Sequence, residues 1–310
     1  MRIVIAEFME ESAVAKLAAR FAVRYDPDLV DRPRELLAEL AAADALIVRN
    51  RTQVNQALLA SAPALKVVGR LGVGLDNIDV AACRARGIDV FPALGANAQA
   101  VAEYVLGTAM FLLRGTYFAT DAVAQGHWPR GALFNGREIA GKTLGLIGFG
   151  DIGRLTGRLG RALAMRVIGC DPQLPATAPL WAAEQTEPCT LADLLVRADV
   201  VSLHVPLLND TRNLLNAQRL ATMKSDAILI NTARGGVVDE AAVAFALRAR
   251  SLGGAAFDVF EQEPLPSGSP LAGCPNLLLT PHIAGLTIES NERVCALIAA
   301  KVADRLDALQ

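Results

Sequence analysis

The stretch that decides the fold is Gly148-Phe149-Gly150-Asp151-Ile152-Gly153, which directly follows the apolar run 143–147. This GxGxxG spacing after a strand is typical of a dinucleotide-binding turn. Gly148 allows the tight turn, Gly150 lets a pyrophosphate approach the backbone, and Gly153 lets helix and strand pack closely. The helix N-terminus that follows holds phosphates through its unpaired N–H groups and its dipole. The pattern predicts a dinucleotide site on a Rossmann-type sheet.

An acidic residue at the end of the next predicted strand indicates which nucleotide is bound. Asp171 lies about 20 residues beyond the loop, where the dinucleotide fingerprint places its acid. Its carboxylate can accept hydrogen bonds from both ribose hydroxyls and would repel a 2′-phosphate. Strand, loop, helix, strand and acid in this order are more specific than the glycines alone. We therefore expect NAD as the cofactor.

Length and composition limit the class of protein. The 310 residues suit two α/β domains of about 150 residues each. Hydrophobic residues make up 53% and the net charge is −2, which argues against a disordered chain and against a nucleic-acid partner. The five cysteines are scattered without a CxxC pair, so neither disulfides nor a metal site are expected. The chain has no secretory or membrane-spanning pattern, so we expect a cytoplasmic protein without a membrane partner.

Short runs rich in Val, Ile and Leu alternate with helical patterns along the whole chain, which is typical of βαβ units and parallel sheets. The predicted strands of the first part are 3–6, 22–25, 45–48, 66–68 and 89–91. Those of the second part are 143–147, 166–170, 200–203, 227–230, 254–258 and 277–279. Long helical patterns cover about 98–113 and 289–309. The prediction is an α/β fold with two doubly wound parallel-sheet domains.

Three polar side chains follow predicted strands of the second part, at the edge where open α/β sheets bind ligands. The guanidinium of Arg234 suits a carboxylate and its neighbouring carbonyl oxygen. His282 and Glu263 can form a proton-transfer pair, because the acid fixes the imidazole tautomer and favours the imidazolium. A surface arginine, a loop acid and a structural histidine are the alternative interpretations.

From about residue 48 to 284 the chain resembles the D-isomer-specific 2-hydroxyacid dehydrogenases, with a phosphoglycerate dehydrogenase-like pattern. Several motifs in one order carry this resemblance and are more specific together than any one alone. They are Gly69–Asp79, the glycine loop, Val201–Leu207, Asn231–Gly235, Asp258–Phe260 with Glu263-Pro264, and Pro281–Gly285.

The resemblance implies a role for each matching residue. His282 is then the general acid/base, Glu263 orients it, and Arg234 anchors the substrate carboxylate. Backbone groups of Gly72, Val73 and Gly74 also bind the substrate, whereas no metal is implied. The implied cofactor-binding residues are Gly148, Gly150, Asp151, Ile152, Gly153, Asp171, His204, Pro206, Thr211, Thr232, Ala233, Arg234, Asp258, His282 and Gly285.

The implied reaction is hydride transfer between the nicotinamide and C2 of a small 2-hydroxy or 2-oxo acid (EC 1.1.1.-). In the reducing direction, protonated His282 would donate to the oxygen while Arg234 polarises the carbonyl. Two domains should close over the reactants to exclude water. The resemblance implies a discontinuous, flavodoxin-like substrate domain of residues 1–97 and 286–310, and a Rossmann-type NAD-binding domain of residues 98–285.

The identity of the acid depends on Arg49 and Arg51, whose Arg-Asn-Arg-Thr segment resembles one that phosphoglycerate dehydrogenases use near their substrate. Both would bind substrate, and a second anion at C3, as in 3-phosphoglycerate or 3-sulfolactate, is one interpretation. Two surface arginines are the other, which would leave glyoxylate or hydroxypyruvate reduction. The family's C-terminal regulatory domain is expected to be absent, and Gln99 or Ala100 replaces a frequent small hydroxylated residue.

Two other classes of function remain open. An NAD-sensing module similar to the family's corepressor relatives would bind cofactor without turnover. Formate or phosphite oxidation would use the same scaffold, but formate dehydrogenases usually have a glutamine where Glu263 stands, which argues against formate. The segment around Trp128 resembles the family's dimer arm, so a homodimer is expected.

Overall fold

A computed structural model of the protein describes residues 1–115 and 119–310. The chain divides into two compact units, one formed by Met1–Asn97 with Leu286–Gln310 and the other by Ala98–Gly285. Each unit contains one parallel sheet. The predicted α/β class with two parallel-sheet domains is therefore confirmed. In the part of the chain that the structure describes, every helix is too short or too polar to cross a membrane.

The first unit has the strand order β2-β1-β3-β4-β5 with all neighbours parallel, which is the flavodoxin-like order. Its strands are β1 (Arg2–Ile5), β2 (Ala22–Tyr25), β3 (Ala45–Val48), β4 (Val67–Arg70) and β5 (Asp89–Pro92). Its helices are α1 (Glu11–Ala18), α2 (Pro33–Leu40), α3 (Gln56–Ala60), α4 (Val80–Ala85) and α12 (Ile288–Asp307), with a 3₁₀ turn at Leu29–Asp31.

The alternation of side chains along β1 and β3 explains why this sheet is covered on both faces. Ile3 and Ile5 point to one face, where they pack with α1 and α12. Val4 and Leu46 point to the other face, where they pack with α2, α3 and α4. Strands that are apolar at nearly every position need helices on both sides, and α12 returns from the C-terminus to provide one of them.

The second unit has the strand order β12-β11-β10-β9-β6-β7-β8, again all parallel. Its strands are β6 (Thr143–Ile147), β7 (Arg166–Cys170), β8 (Glu187–Pro188), β9 (Val200–Leu203), β10 (Ile228–Asn231), β11 (Gly254–Phe257) and β12 (Leu277–Leu279). Its helices are α5 (Ala98–Arg114), α6 (Thr120–Ala124), α7 (Asp151–Ala162), α8 (Pro179–Ala183), α9 (Leu191–Arg197), α10 (Ala217–Leu220) and α11 (Glu240–Arg248). From β6 to β8 successive strands are added toward one edge of the sheet, and from β9 to β12 toward the other. The point between β6 and β9 where this order reverses is the switch point of a Rossmann fold.

The prediction of six strands for this sheet missed β8. This strand has two residues, contains Pro188 and pairs only with β7 at the edge of the sheet. Proline is tolerated there because an edge strand leaves one row of N–H groups unpaired. Most other predicted strand bounds agree with the structure to within about one residue, which is the usual scatter at element ends.

Gly145 and Gly107 allow a test of the packing in this unit. A Cβ on Gly145 in β6 would lie 2.6 Å from the Leu194 side chain, whereas one on Gly107 in α5 would meet nothing within 4 Å. Gly145→Ala should therefore destabilise the protein by about 1–3 kcal/mol through overpacking. Gly107→Ala should stabilise it by about 0.5–1 kcal/mol by removing unfolded-state entropy. Thermal unfolding would show melting temperatures that move in opposite directions, and equal shifts would contradict this packing.

Candidate active site

The glycine loop joins β6 to α7 and depends on close backbone approaches. Gly148 has φ of 94°, and a Cβ there would lie 2.5 Å from the carbonyl oxygen of His204. A Cβ on Gly153 would lie 2.3 Å from the carbonyl oxygen of Gly148. At Gly150, in contrast, nothing lies within 4 Å of where a Cβ would be. The loop is thus packed tightly on the protein side and open at the N-terminus of α7, as a bound pyrophosphate requires.

Asp171 follows β7 and is held against this loop. Its Oδ2 accepts a hydrogen bond from the Phe149 N–H at 2.8 Å, and its Oδ1 accepts one from the Gln173 N–H at 2.9 Å. The Phe149 ring stacks on Trp181 with a centroid distance of 4.3 Å. Each carboxylate oxygen keeps further acceptor capacity, so Asp171 can also bind ribose hydroxyls.

The segment after β9 lies against the other side of the loop. The His204 N–H donates to the carbonyl of Ile147 at 2.7 Å, and its Nε2 lies 3.0 Å from the hydroxyl of buried Ser202. Burial lowers the pKa of His204 to about 4, so its imidazole is neutral at neutral pH. His204 can therefore contact a cofactor without adding charge. Further along, the Thr211 hydroxyl donates to the carbonyl of Pro206 at 2.6 Å and fixes this loop.

Arg234 follows β10 in a turn that Asn231 organises. The buried Asn231 amide donates to the Arg234 carbonyl at 3.0 Å and accepts from the Ala233 N–H at 3.1 Å. The Arg234 guanidinium folds back onto the Ala233 carbonyl at 2.7 Å. Within the described residues, the buried hydroxyl of Thr232 has no hydrogen-bond partner. A buried hydroxyl normally has one, so Thr232 is suited to bind a cofactor group here.

The proton-transfer pair is assembled beyond β11 and β12. Glu263 accepts a hydrogen bond from the Phe260 N–H at 3.0 Å and contacts Nδ1 of His282 at 2.7 Å through its other oxygen. A carboxylate only accepts, so Nδ1 carries the proton of this hydrogen bond. Nε2 is then the ring atom left to exchange a proton with a substrate. His282 is half exposed, and a ligand can reach it.

The buried carboxylate of Asp258 holds the backbone turn that contains His282. Asp258 is 1% exposed, and its oxygens accept hydrogen bonds from the N–H groups of Ile283 and Ala284 and from the Thr280 hydroxyl, at 2.7–2.8 Å. The Asp258 carbonyl accepts from the His282 N–H at 2.8 Å. His282 itself has φ of 57°, a left-handed conformation that is costly for a non-glycine residue. The predicted role of Asp258 in cofactor binding is thus accompanied by a structural role.

In the first unit, the loop after β4 contains Gly72, Val73 and Gly74. A Cβ on Gly72 would lie 1.4 Å from a guanidinium nitrogen of Arg70, so only glycine lets this arginine lie along the loop. Sequence reasoning missed Arg70, although it directly precedes the Leu-Gly-Val-Gly motif at the end of a strand.

The loop after β3 is shaped by Glu7, which sequence reasoning also missed. Its carboxylate is 3% exposed and accepts hydrogen bonds at 2.9–3.3 Å from the N–H groups of four successive residues, 49–52. Four donors satisfy the hydrogen-bonding capacity of a buried carboxylate. The available signal was an acid at the end of a fully apolar first strand.

The two arginines of this loop have different environments. Arg51 is exposed and forms an ion pair with Asp31. Arg49 donates to the amide oxygen of Asn291 at 2.6 Å and lies 5.4 Å from the centre of the Phe8 ring. Its Nε is buried without a hydrogen-bond partner, and no carboxylate of the described residues lies within ion-pair distance of Arg49. The structure therefore distinguishes Arg51, which forms an ion pair at the surface, from Arg49, which has an amide and an aromatic ring as neighbours but no carboxylate within ion-pair distance among the described residues.

Among residues 1–115 and 119–310 there is no group of three or more His, Cys, Asp or Glu side chains that could hold a metal ion.

The geometry of the second unit, with a Rossmann-type sheet, an open glycine loop and a histidine–carboxylate pair, defines a nucleotide-dependent oxidoreductase. The model of the NAD-binding domain of D-isomer specific 2-hydroxyacid dehydrogenases matches residues 106–284. The chain belongs to this family and is an NAD-dependent 2-hydroxyacid dehydrogenase. The predictions of family, enzyme class and cofactor are confirmed.

Relatives with different substrates resemble the chain. It is 54% identical over 293 residues to an (S)-sulfolactate dehydrogenase from Chromohalobacter salexigens, covering 94% of each protein. It is 39% identical to a D-3-phosphoglycerate dehydrogenase from Methanocaldococcus jannaschii, over 86% of this chain and 51% of that protein. Thus the chain spans about half the length of that relative. A solved D-lactate dehydrogenase from Aquifex aeolicus, complexed with NAD and lactic acid, is 27% identical with a TM-score of 0.83, covering 99% and 97% of the two chains.

Asp171→Asn should weaken the preference for NADH over NADPH. Asparagine keeps an acceptor for the Phe149 N–H but removes the charge that repels a 2′-phosphate. We expect KM for NADH to rise about fivefold and the ratio of kcat/KM for the two cofactors to fall at least about tenfold. The control is Glu187→Gln, which removes an exposed charge paired with Arg197. An unchanged cofactor ratio in Asp171→Asn would refute this role.

His204 should make stability depend on pH. Its pKa is about 4 in the folded protein against an ordinary 6.5, so the folded state binds fewer protons between these values. The stabilisation is complete above pH 6.5 and is lost as the pH falls toward 4, by at most about 3 kcal/mol. Melting temperatures at pH 4–7 should fall less steeply for His204→Gln than for the wild type. Parallel curves would contradict the burial of a neutral imidazole.

Proposed function

We propose that the protein interconverts 3-sulfolactate and sulfopyruvate with NAD(H). The observation that carries the substrate is Arg49, a partly buried guanidinium without a carboxylate partner in the described parts of the chain. A cation in such a position is stabilised by an anionic ligand. The 54% identity to an (S)-sulfolactate dehydrogenase supports the same substrate.

The number of charges favours a sulfonate over a phosphate. Arg51 forms an ion pair with Asp31, so Arg49 is the member of the pair whose charge remains to be balanced. A sulfonate carries a single negative charge, whereas a phosphate monoester carries about −1.5 to −2 at pH 7. One available guanidinium therefore matches 3-sulfolactate better than 3-phosphoglycerate.

The chemistry at C2 is assigned to residues of the second unit. NAD supplies the hydride acceptor for oxidation and, as NADH, the hydride for reduction. For reduction, we assign the proton to Nε2 of His282, while Glu263 holds Nδ1 and stabilises the charged ring. Arg234 is assigned to the substrate carboxylate and to polarising the C2 carbonyl. The amides of Val73 and Gly74 are assigned to the same carboxylate.

The fit of NAD rests on three features of the second unit. The open space at Gly150 admits a pyrophosphate, Asp171 has acceptor capacity for the ribose, and the buried Thr232 hydroxyl lacks a partner. Each of the cofactor-binding residues inferred from the sequence remains part of this proposal.

We also propose that the protein is a cytoplasmic homodimer. Trp128 and Phe134 are 79% and 87% exposed in the segment after α6. Large aromatic side chains with this exposure are typical of surfaces that a protein partner covers. A second copy of the chain is the partner that the family resemblance favours.

The substrate is tested by following NADH oxidation with sulfopyruvate, phosphohydroxypyruvate, hydroxypyruvate, pyruvate and glyoxylate. We expect kcat/KM to be highest for sulfopyruvate. Arg49→Gln should raise KM for sulfopyruvate about 10- to 100-fold, because a charge-assisted hydrogen bond is lost, but change kcat/KM for hydroxypyruvate less than about threefold.

The matched control is Arg51→Gln, which should change KM for sulfopyruvate less than about threefold because its charge is already paired. Equal losses in both variants, or equal activity on all five acids, would contradict the sulfonate site. A preference for hydroxypyruvate or glyoxylate would favour a reductase of those acids. NADH binding without any turnover would favour an NAD-sensing module.

A further inference from the structure

The turn that carries His282 is connected to helix α5 by side-chain hydrogen bonds. The Tyr104 hydroxyl on α5 lies 2.5 Å from Oγ1 of Thr280, and Oγ1 of Thr280 lies 2.7 Å from Oδ1 of Asp258. All three residues belong to the second unit. Tyr104 and Thr280 are 176 residues apart in sequence.

The direction of each hydrogen bond follows from the chemistry of the groups. The Asp258 carboxylate already accepts from two backbone N–H groups, and as a carboxylate it can only accept. Thr280 must therefore donate its single hydroxyl proton to Asp258. Its oxygen then accepts from Tyr104, which donates. Burial raises the pKa of Tyr104, so the phenol keeps the proton that it donates.

The hydrogen bonds from Tyr104 to Thr280 and from Thr280 to Asp258 orient the Asp258 carboxylate. The position of this carboxylate in turn fixes the backbone conformation at His282. The N–H groups of Ile283 and Ala284 donate to the same carboxylate, and the His282 N–H donates to the Asp258 carbonyl. These hydrogen bonds hold His282 in its left-handed conformation, with φ of 57°. A conformation of this kind persists only where its surroundings hold it. Without Tyr104, the Thr280 oxygen loses the donor that fixes its position, so the hydrogen bond from Thr280 to Asp258 is held less firmly.

We propose that Tyr104 and Thr280 are positioning residues for the dehydrogenase reaction: through Asp258 they hold the backbone turn that presents His282 for proton transfer. The inference rests on the proposed role of His282 as acid/base. Neither Tyr104 nor Thr280 is assigned to substrate or cofactor, so each acts only through Asp258 and the turn that places His282.

The kinetic test compares single and double variants. Tyr104→Phe should lower kcat about three- to tenfold, and Thr280→Val about tenfold or more, because the second change removes a donor from a buried carboxylate. KM for NADH and for the oxo acid should change less than kcat, because the glycine loop, Asp171 and Arg234 lie outside this chain of hydrogen bonds. Thr280→Ser keeps the hydroxyl and should retain most of the activity. Residues acting in one chain are not additive, so the double variant Tyr104→Phe/Thr280→Val should be no slower than Thr280→Val alone.

Thr108→Val is the matched control. Thr108 lies one turn further along α5, is buried, and donates its hydroxyl to backbone carbonyls of Tyr104 and Val105. Its hydroxyl bonds to carbonyls of its own helix and not to Asp258, so its removal should leave kcat unchanged within about twofold. A loss in Thr108→Val equal to that in Tyr104→Phe would overturn the proposal, because helix stability would then explain both.

A measurement without turnover separates this proposal from the proposed function. Amide hydrogen exchange of the NADH-bound protein should be faster at Ile283 and Ala284 in Tyr104→Phe and Thr280→Val, and unchanged in Thr108→Val and Thr280→Ser. If the wild type fails to oxidise NADH with any of the oxo acids, the proposed function fails. The exchange result still decides whether this chain of hydrogen bonds holds the turn. Unchanged exchange in Tyr104→Phe and Thr280→Val, or additive losses of kcat in the double variant, would overturn the positioning role.

Discussion

The turn that carries His282 depends on the hydrogen bonding of one buried carboxylate. Asp258 is almost inaccessible to water, so its negative charge must be stabilised by donors within the protein. Two backbone N–H groups and the Thr280 hydroxyl supply them, and in doing so they fix the path of the chain around His282. The side chain of His282 then meets Glu263, which sets the proton on Nδ1. The backbone turn thus places His282 within hydrogen-bond distance of Glu263.

A second buried acid has a comparable function in the other unit. Glu7 accepts hydrogen bonds from four successive N–H groups and so shapes the loop after β3. Arg51 is paired with Asp31, whereas the guanidinium of Arg49 donates to the amide of Asn291 and has no carboxylate within ion-pair distance among the described residues. Both acids therefore fix the backbone around residues that we propose to bind substrate or transfer a proton.

The elements that sequence reasoning predicted well are those that depend on local spacing. The glycine loop, Asp171 and the strand ends before Arg234 and His282 follow from periodicity and from residues at fixed offsets. The elements that it missed depend on distant partners or on very short structure. Tyr104 meets Thr280 across 176 residues, and β8 has two residues without a periodic pattern.

The sequence by itself determined the parallel-sheet class, the site of the dinucleotide loop and the residues available for proton transfer, because each depends on a strand end and a few neighbouring residues. The tertiary structure alone decided which of these side chains are neutralised, buried or oriented. Arg49 and Arg51 are two positions apart and look equivalent in the sequence, yet Arg49 meets Asn291 from 242 residues away whereas Arg51 meets Asp31. The energy of a charge depends on its partners and its solvent exposure, and both are set by the packing of segments that are distant in the chain.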